Sequence, residues 1–509
     1  MLQYDDLTPP ERAVWDAFPE GRLVDLRSGD PEEDDAVGGP AWGAGRTVRA
    51  EVLAALLLGA NAARPGAVAA LNLTGARIVG RLDLAGGDIA HTVHLASCRL
   101  EETVNLRGSA TRTIRITNCR VLGIEAQMVR IEGRLELSRT TLRGGRLALT
   151  NAHVSGELDL NGATLEADGK WALFAGGLVA EGAVFCSQGF TARGGLRLLG
   201  AQLSGGLFLG GARLANPAGE ALLADTATVS TLELTDGFAA TAAVRLRGAH
   251  ITNRLSLRGA ALGEPGAALD LARVQVAELD LTPALAPPGG IDLRSARVEV
   301  LRDNETGRTA RVRLEGLVYT SLHADDAPPA VLGVRGVRGE PGARGGAARR
   351  VAWIRRSPGY SPQPYEQLAG WYRLIGHDDD ARLVLLEKQR HRRGTLHPVA
   401  RIWGRVFDAT VGYGYRPWRA GGWLILLSLI GTLVFGAHTP TANKKGEGPP
   451  FSAVAYTLDL LVPIGGFGQR GAWHWTDPAV MGLSYALIAA GWLLTTAVVA
   501  GVTRSLNKT

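Results

Sequence analysis

LNLTGARIVGR (71–81) is followed without a break by LDLAGGDIAHT (82–92). The two strings are one eleven-residue unit, L-x-L-x-G-A-x-[ILV]-x-G-x, written twice. Copies recur as LDLNGATLEAD (158–168), LRLLGAQLSGG (196–206), LFLGGARLANP (207–217), VRLRGAHITNR (244–254), LSLRGAALGEP (255–265), LDLARVQVAEL (269–279) and IDLRSARVEVL (291–301). Inside L-x-L the apolar and polar residues alternate, which is the period of a strand with one buried face. The G-A, S-C and N-A pairs sit where the chain must turn, and glycine admits positive φ there. Strands this short do not build a sandwich. They fit a right-handed parallel β-helix with two units per coil, or roughly ten coils over residues 71–301. The register blurs at 124–134 and 166–195, which reads as insertions or wider coils.

A solenoid needs covered ends. RTVRAEVLAALLLGANA (46–62) has apolar residues at helical spacing and is expected to be an N-terminal cap helix. Residues 10–18 (PERAVWDAF) are expected to form a second short helix, and GDPEEDDAVGGP (29–40) an acidic loop. Cys98 and Cys119 occupy the small turn position, and Cys186 lies in a disturbed coil. The odd count and the lack of C-x-x-C point to reduced structural thiols. No signal peptide opens the chain, so a cytoplasmic N-terminus is expected.

Ala420–Ala437 and Ala479–Val502 carry no charge and are long enough to cross a bilayer as helices. Trp418, Trp423, Trp473, Trp475 and Trp492 crowd the region, as interfacial aromatics do. Arg390, Arg392, Arg393, Arg401, Arg405, Arg416 and Arg419 precede the first span, and Arg504 and Lys508 follow the second. The positive-inside rule therefore places the solenoid and both termini in the cytoplasm of a bacterial cell, at its inner membrane. Residues 439–478 form a loop outside the cell or dipping back into the bilayer. Lys444, Lys445 and Arg470 in that loop weigh the other way.

Between solenoid and spans, GVRGVRGEPGARGG (333–346) reads as a flexible basic linker. PYEQLAGWYRLIGHDDDARLVLLEKQRHRR (364–393) looks like one tetratricopeptide-type hairpin, with Leu368, Tyr372, Gly376 and Ala381 at the motif positions. Residues 335–419 hold 17 Lys/Arg against 7 Asp/Glu. Such a band is drawn to anionic inner-leaflet lipids, and the seven arginines before the first span are its expected headgroup contacts. Nucleic acid is not expected as a partner, because aromatics are not interleaved with the basic groups. The expected domains are a helical cap region (1–66), the β-helix (67–330), the linker (331–360), a helical hairpin with a basic juxtamembrane segment (361–419) and the two spans (420–503).

Thr410-Val411-Gly412-Tyr413-Gly414 matches a potassium-filter string, but no span precedes it and Arg401, Arg405, Arg416 and Arg419 bracket it. A turn leading toward the bilayer is the reading adopted. Phe451–Val462, followed by Pro463, Gly465, Gly466, Phe467, Gly468 and Gln469, has better placement. Span, short helix, glycine loop, span is the layout of a two-helix pore module, although Asp459 and Pro463 depart from the potassium pattern. The alternative is an interfacial helix that packs the hairpin.

The inner x of L-x-L is acidic at Asp83, Glu136, Asp159, Glu233, Asp270, Asp280 and Asp292, and basic at Arg115, Arg197 and Arg245. Stacking turns these into an outward ladder, read as a solvated face rather than an active site. His377–Asp380 and His323–Asp326 read as polar loops. No dinucleotide, P-loop, zincin or nucleophile-elbow motif occurs, and no cofactor is expected.

RTVRAEVLAALLLG, the LxLxGAxIxGxLxL copies, YEQLAGWYRLIGHDDDAR and GYGYRPWRA together resemble an uncharacterised group of actinobacterial membrane-anchored β-solenoid proteins of the pentapeptide-like kind. Some carry the name "membrane-associated oxidoreductase". The resemblance implies architecture and not chemistry. Three readings follow. The first is a non-enzymatic membrane-anchored scaffold with an unknown protein partner on the solenoid. The second is an oligomeric two-span pore with the solenoid as sensor. The third, by name alone, is an oxidoreductase.

Overall fold

An L-x-L strand sends both leucines to one side and leaves its backbone edges open, so it must stack on another copy to be stable. The computed structural model describes residues 3–39, 41–324, 346–397, 418–444, 449–462 and 466–506, and it shows that stack. Leu71 pairs in parallel register with Val93, and the column continues through Ile114, Leu135, Leu158, Val184, Leu207, Leu232, Leu255, Leu279, Leu301 and Leu322. Ten steps separate Leu71 from Leu301 and one more reaches Leu322, so the solenoid makes about eleven turns. The rungs form two parallel sheets, of 19 and 18 strands.

The stack begins earlier than the repeat. Leu23–Asp25 pairs with Asn72–Thr74, and Thr47–Arg49 pairs with Arg77–Val79. Helix formation in the expected 46–62 segment is confined to α2 (Ala50–Leu57), because Thr47–Arg49 is drawn into a sheet. Helix α1 is Pro9–Ala17. Glu11 on α1 is 1% exposed, and its carboxylate accepts from Arg49 Nε (2.8 Å), Arg49 Nη2 (2.8 Å) and the Thr8 amide (2.9 Å).

The irregular stretches differ from each other. At 166–195 there is a real insertion: Thr164–Phe174 is a long strand whose pairing with Thr191–Arg197 shifts register between Glu166 and Trp171. At 124–134 the expected wider coil is absent. Ile124 stays in register with Val104 and Leu147, and only the corner residues depart from the consensus. That corner is a left-handed residue at the fifth position of the unit. Gly75, Gly86, Gly162, Gly200 and Gly248 fill it, but so do Asn118, Asn151, Met128, Arg139, Thr226 and Arg273. The residue after it points inward and is buried, as at Ala76, Cys98, Cys119, Ala152, Ala163 and Ala201.

Part of the expected linker is helical. Helix α3 is Glu305–Thr309 and α4 is Gly346–Ile354; Ala347, Val351 and Ile354 share one buried face of α4. That spacing was hidden within a Gly/Arg-rich run. Buried Asp303 accepts from Arg308 (2.9 Å) and Arg350 (3.5 Å), which ties α4 to the last coils. Helix α5 (Gln363–Leu374) then meets the free edge of the final strand, Val318–Ala324. Gln363 accepts from the Gly316 amide (2.9 Å) and donates to the Leu317 carbonyl (2.8 Å), and Gln367 donates to the Tyr319 carbonyl (2.7 Å). One helix face thus occupies an edge that would otherwise template pairing with another chain.

The first compact unit ends at Gln367, and the second runs from Leu368. The second contains α6 (Asp378–Gly394), α7 (Trp418–Ala437), α8 (Ala453–Leu461), α9 (Gln469–Ala472) and α10 (Pro478–Leu506). Two stretches, Arg419–Ala437 and Pro478–Thr496, are long and apolar enough to cross a membrane. Most of their residues are uncovered by protein, with Ile425, Leu433, Tyr485 and Leu493 among the most exposed.

Two stability outcomes follow. Gly200 has no atom closer than 3.9 Å to an added Cβ, so Gly200→Ala isolates the backbone term. It is expected to cost about 1–2 kcal/mol in denaturant titration, whereas Thr226→Gly, which removes a β-branched residue from the same conformation, is expected to stabilise. Burial alone raises the Glu11 carboxyl, but the Arg49 and Thr8 bonds outweigh it and hold it at about 2, below its usual 4.5. The folded state therefore binds fewer protons between these values. The stabilisation is complete above pH 4.5 and is lost as pH falls through 2. The stability gap between the wild type and Glu11→Gln is expected to be full at pH 5 and closed at pH 2.

Candidate functional site

Stacking at 20 to 27 residues per coil decides which outward side chains meet. Arg115 reaches Glu136 on the next coil (2.7 Å), Arg143 reaches Glu166 (2.7 Å), and Glu278 is held by Arg254 (2.9 Å) and Arg302 (2.6 Å). Asp225 pairs with Arg245 (2.5 Å), Asp270 with Arg247 (2.5 Å) and Asp292 with Arg294 (2.6 Å). Asp280 is buried and accepts from Thr282 (2.6 Å). Burial works to raise the Glu136 carboxyl, yet Arg115, Ser138 and Arg134 together hold it below the ordinary range. These carboxylates are engaged by side chains of their own or of neighbouring coils. Each exposed pair adds at most about 1 kcal/mol. Among the described residues, no three of His, Cys, Asp and Glu converge as a metal site would require.

The thiols are equally self-contained. Cys98 and Cys119 lie on adjacent coils, and the Cys98 amide donates to Cys119 Sγ (3.2 Å). All three cysteines are free and buried. Desolvation pushes the Cys119 and Cys186 thiols far up, so neither supplies a thiolate near neutral pH.

One face is different. Its rungs present Arg77, Arg99, Arg120, Thr141, Thr164, Thr191 and Arg213 in register. The inserted residues after Thr164 and the turn at Asn216–Glu220 rise beside it as walls, closed by Asn216 donating to the Glu220 carbonyl (2.6 Å). They bound a cavity of about 860 Å³ lined by Thr164, Thr191, Arg193, Arg213 and Asn216. A second hollow of about 550 Å³, which shares Glu166, Arg193 and Asn216 with the first, includes Arg143, Asp168 and Lys170. A third, of about 300 Å³, holds Arg120 beside Trp42, over whose ring Arg99 lies at 4.4 Å. The two carboxylates in the large cavity are already engaged, Glu166 by Arg143 and Glu220 by Lys170 (3.1 Å). Arg193, Arg213 and Arg120 have no acidic partner among the described residues. The face was not legible as a site, because its arginines are separated in sequence by whole coils.

The residues singled out near the membrane are placed as follows. Arg390 pairs with Glu387 (2.8 Å) near the end of α6, and Arg392 and Arg393 lie in that helix's last turn. Arg419 opens α7. Arg401, Arg405, Arg416 and Thr410–Gly414 lie outside the described residues, as do Pro463 and Gly465. Gly466, Phe467 and Gly468 are exposed, whereas Gln469 is buried and donates to the Pro450 carbonyl (2.9 Å). Asp459 on α8, which sequence reading took only as a departure from a filter, accepts the amides of Phe467 (3.1 Å) and Arg470 (2.9 Å). No known protein family, curated protein or solved structure matches the chain. Geometry alone therefore carries the functional reading.

With the fold intact, Cys98, Cys119 and Cys186 are expected to resist a water-soluble maleimide over hours. All three are expected to react within minutes in denaturant, as read by intact mass.

Proposed function

We propose that this chain is a membrane-anchored scaffold whose solenoid recruits an acidic protein segment. In this reading the solenoid is right-handed, and α1 and α2 cap its first coil. It lies in the cytoplasm of a bacterial cell. The helices α7 and α10 cross the inner membrane, and both termini face the cytoplasm. Arg390, Arg392, Arg393, Arg401, Arg405, Arg416 and Arg419 rest on anionic headgroups at that face.

The observation that supports recruitment is the cavity that gathers Arg193 and Arg213. Elsewhere many outward charges are paired, as at Arg115–Glu136 and Arg247–Asp270. On the grooved face Arg193 and Arg213 stand in a cavity whose carboxylates are taken. Extended acidic chain fits such a groove, because a guanidinium offers a planar fork to a carboxylate. Thr164, Thr191 and Asn216 add neutral hydrogen-bonding groups. Among the described residues no arrangement favours the oxidoreductase reading over this one.

A photo-crosslinking residue in place of Thr191 is expected to trap a partner in intact cells, and the same residue in place of Glu233 is not. Arg193→Glu with Arg213→Glu is expected to cut the adduct at least tenfold while leaving protein level unchanged. Equal trapping from both positions, or adducts indifferent to the charge reversal, would refute the groove as the recruiting surface.

A further inference from the structure

The end of the grooved face beside Trp42 carries an inference that deepens the recruitment reading and rests on it. Arg120 leads through Thr141, Thr164 and Thr191 to Arg213 in four parallel steps. At about 4.8 Å per rung the two arginines stand roughly 19 Å apart along the stack, a distance that about six residues of extended chain span. The hollows between them adjoin. Arg143 lines both the hollow at Trp42 and the second hollow, and Glu166, Arg193 and Asn216 line both the second hollow and the large cavity. A chain laid along the stack crosses all three.

The Trp42 hollow gathers more positive charge than one carboxylate answers. Arg77, Arg99, Arg120 and Arg143 line it, and Glu101 is the one carboxylate among its described lining residues. Arg77 already holds Glu101 (2.7 Å), and Arg143 holds Glu166 (2.7 Å). The acidic loop beside the hollow is engaged as well. Asp34 pairs with Arg46 (2.5 Å), and the Asp35 carboxylate accepts the amides of Val37 (2.8 Å) and Gly38 (3.0 Å).

Arg99 is fixed in place. Its Nε donates to the Ala36 carbonyl (2.8 Å), and its Nη2 donates to the carbonyls of Asp35 (2.6 Å) and Gly39 (2.8 Å). Burial and then the neighbouring Arg120 charge push the Arg99 pKa below its ordinary value, against the pull of Asp35. Like charges held this close repel, and an anion between them relieves the repulsion. Arg120 itself is exposed and has no acidic partner among the described residues, so its fork is open to a ligand.

A carboxylate brings one negative charge to one fork. A phosphorylated side chain brings a charge of about −1.5 to −2 and three acceptor oxygens, so it meets several forks at once. We infer that the Trp42 hollow binds a phosphorylated side chain of the recruited segment, anchored by Arg120 and set about six residues from the acidic stretch held at Arg193 and Arg213.

The test is fluorescence polarisation of labelled peptides with the full-length protein in detergent. Each peptide joins a glutamate stretch, through a flexible spacer matched to that distance, to either serine or phosphoserine, and both chain directions are made. In one direction phosphoserine is expected to tighten binding at least tenfold over serine, and removing the spacer is expected to cancel the gain. Arg120→Ala is expected to abolish the gain and leave the serine peptide bound. Arg120→Lys, which keeps the charge without the fork, is expected to retain part of it. Arg193→Glu with Arg213→Glu is expected to weaken both peptides. Equal affinity for the two peptides, or a gain that survives Arg120→Ala, would overturn the phosphoryl site and leave the groove reading standing. Inorganic phosphate or a single-stranded oligonucleotide that binds as tightly as the phosphoserine peptide would overturn the assignment to a protein segment. Wild-type protein that binds neither peptide would overturn the groove reading itself, and this inference with it.

Discussion

Backbone hydrogen bonding is the constraint on which this molecule depends. No coil of the solenoid can satisfy its own strands, so each is stable only on the next. The left-handed corner makes this repeatable: it turns the chain after every L-x-L and points the following small side chain inward. Gly75, Asn118 and even Met128 hold that conformation, because the coil above and the coil below fix the corner whatever residue occupies it. The same need explains the ends of the stack. Gln363 and Gln367 meet the last strand's carbonyls, and Asp303 holds α4 through Arg308 and Arg350.

The legible part of the sequence was the part with a period. L-x-L announced the strands, the column from Leu71 to Leu301 contains the ten steps the spacing implied, and the two apolar stretches are helices of sufficient length. What escaped was whatever the neighbouring coil decides. Thr47–Arg49 has no repeat signature and becomes a strand because Arg77–Val79 offers an open edge. The stretch at 124–134 looked irregular only because Met128 and Val129 replace a Gly-Ala corner. Helix α4 lay hidden in a basic run whose apolar residues are few but correctly spaced.

The candidate sites divide along the same line. The acidic ladder was visible, and part of it is internally paired, because stacking sets Arg115 on Glu136 and Arg247 on Asp270, whereas Asp83 and Asp159 accept from Asn105 and the Asn161 amide. The groove was invisible, since Thr164, Thr191 and Arg213 come together only by register. In the hairpin the glycine loop was noticed, but Asp459 and Gln469, which hold it, were not read as its supports. Their role depends on a chain reversal that no local pattern encodes.

Two surfaces remain unanswered within one copy: the arginines of the groove and the exposed residues Val462, Gly466, Phe467 and Gly468. The first bears most directly on the proposed recruitment. Binding of polyglutamate to the purified full-length chain decides the matter. The expected result is binding that weakens at least tenfold in Arg193→Glu with Arg213→Glu. Binding indifferent to that charge reversal would contradict the account.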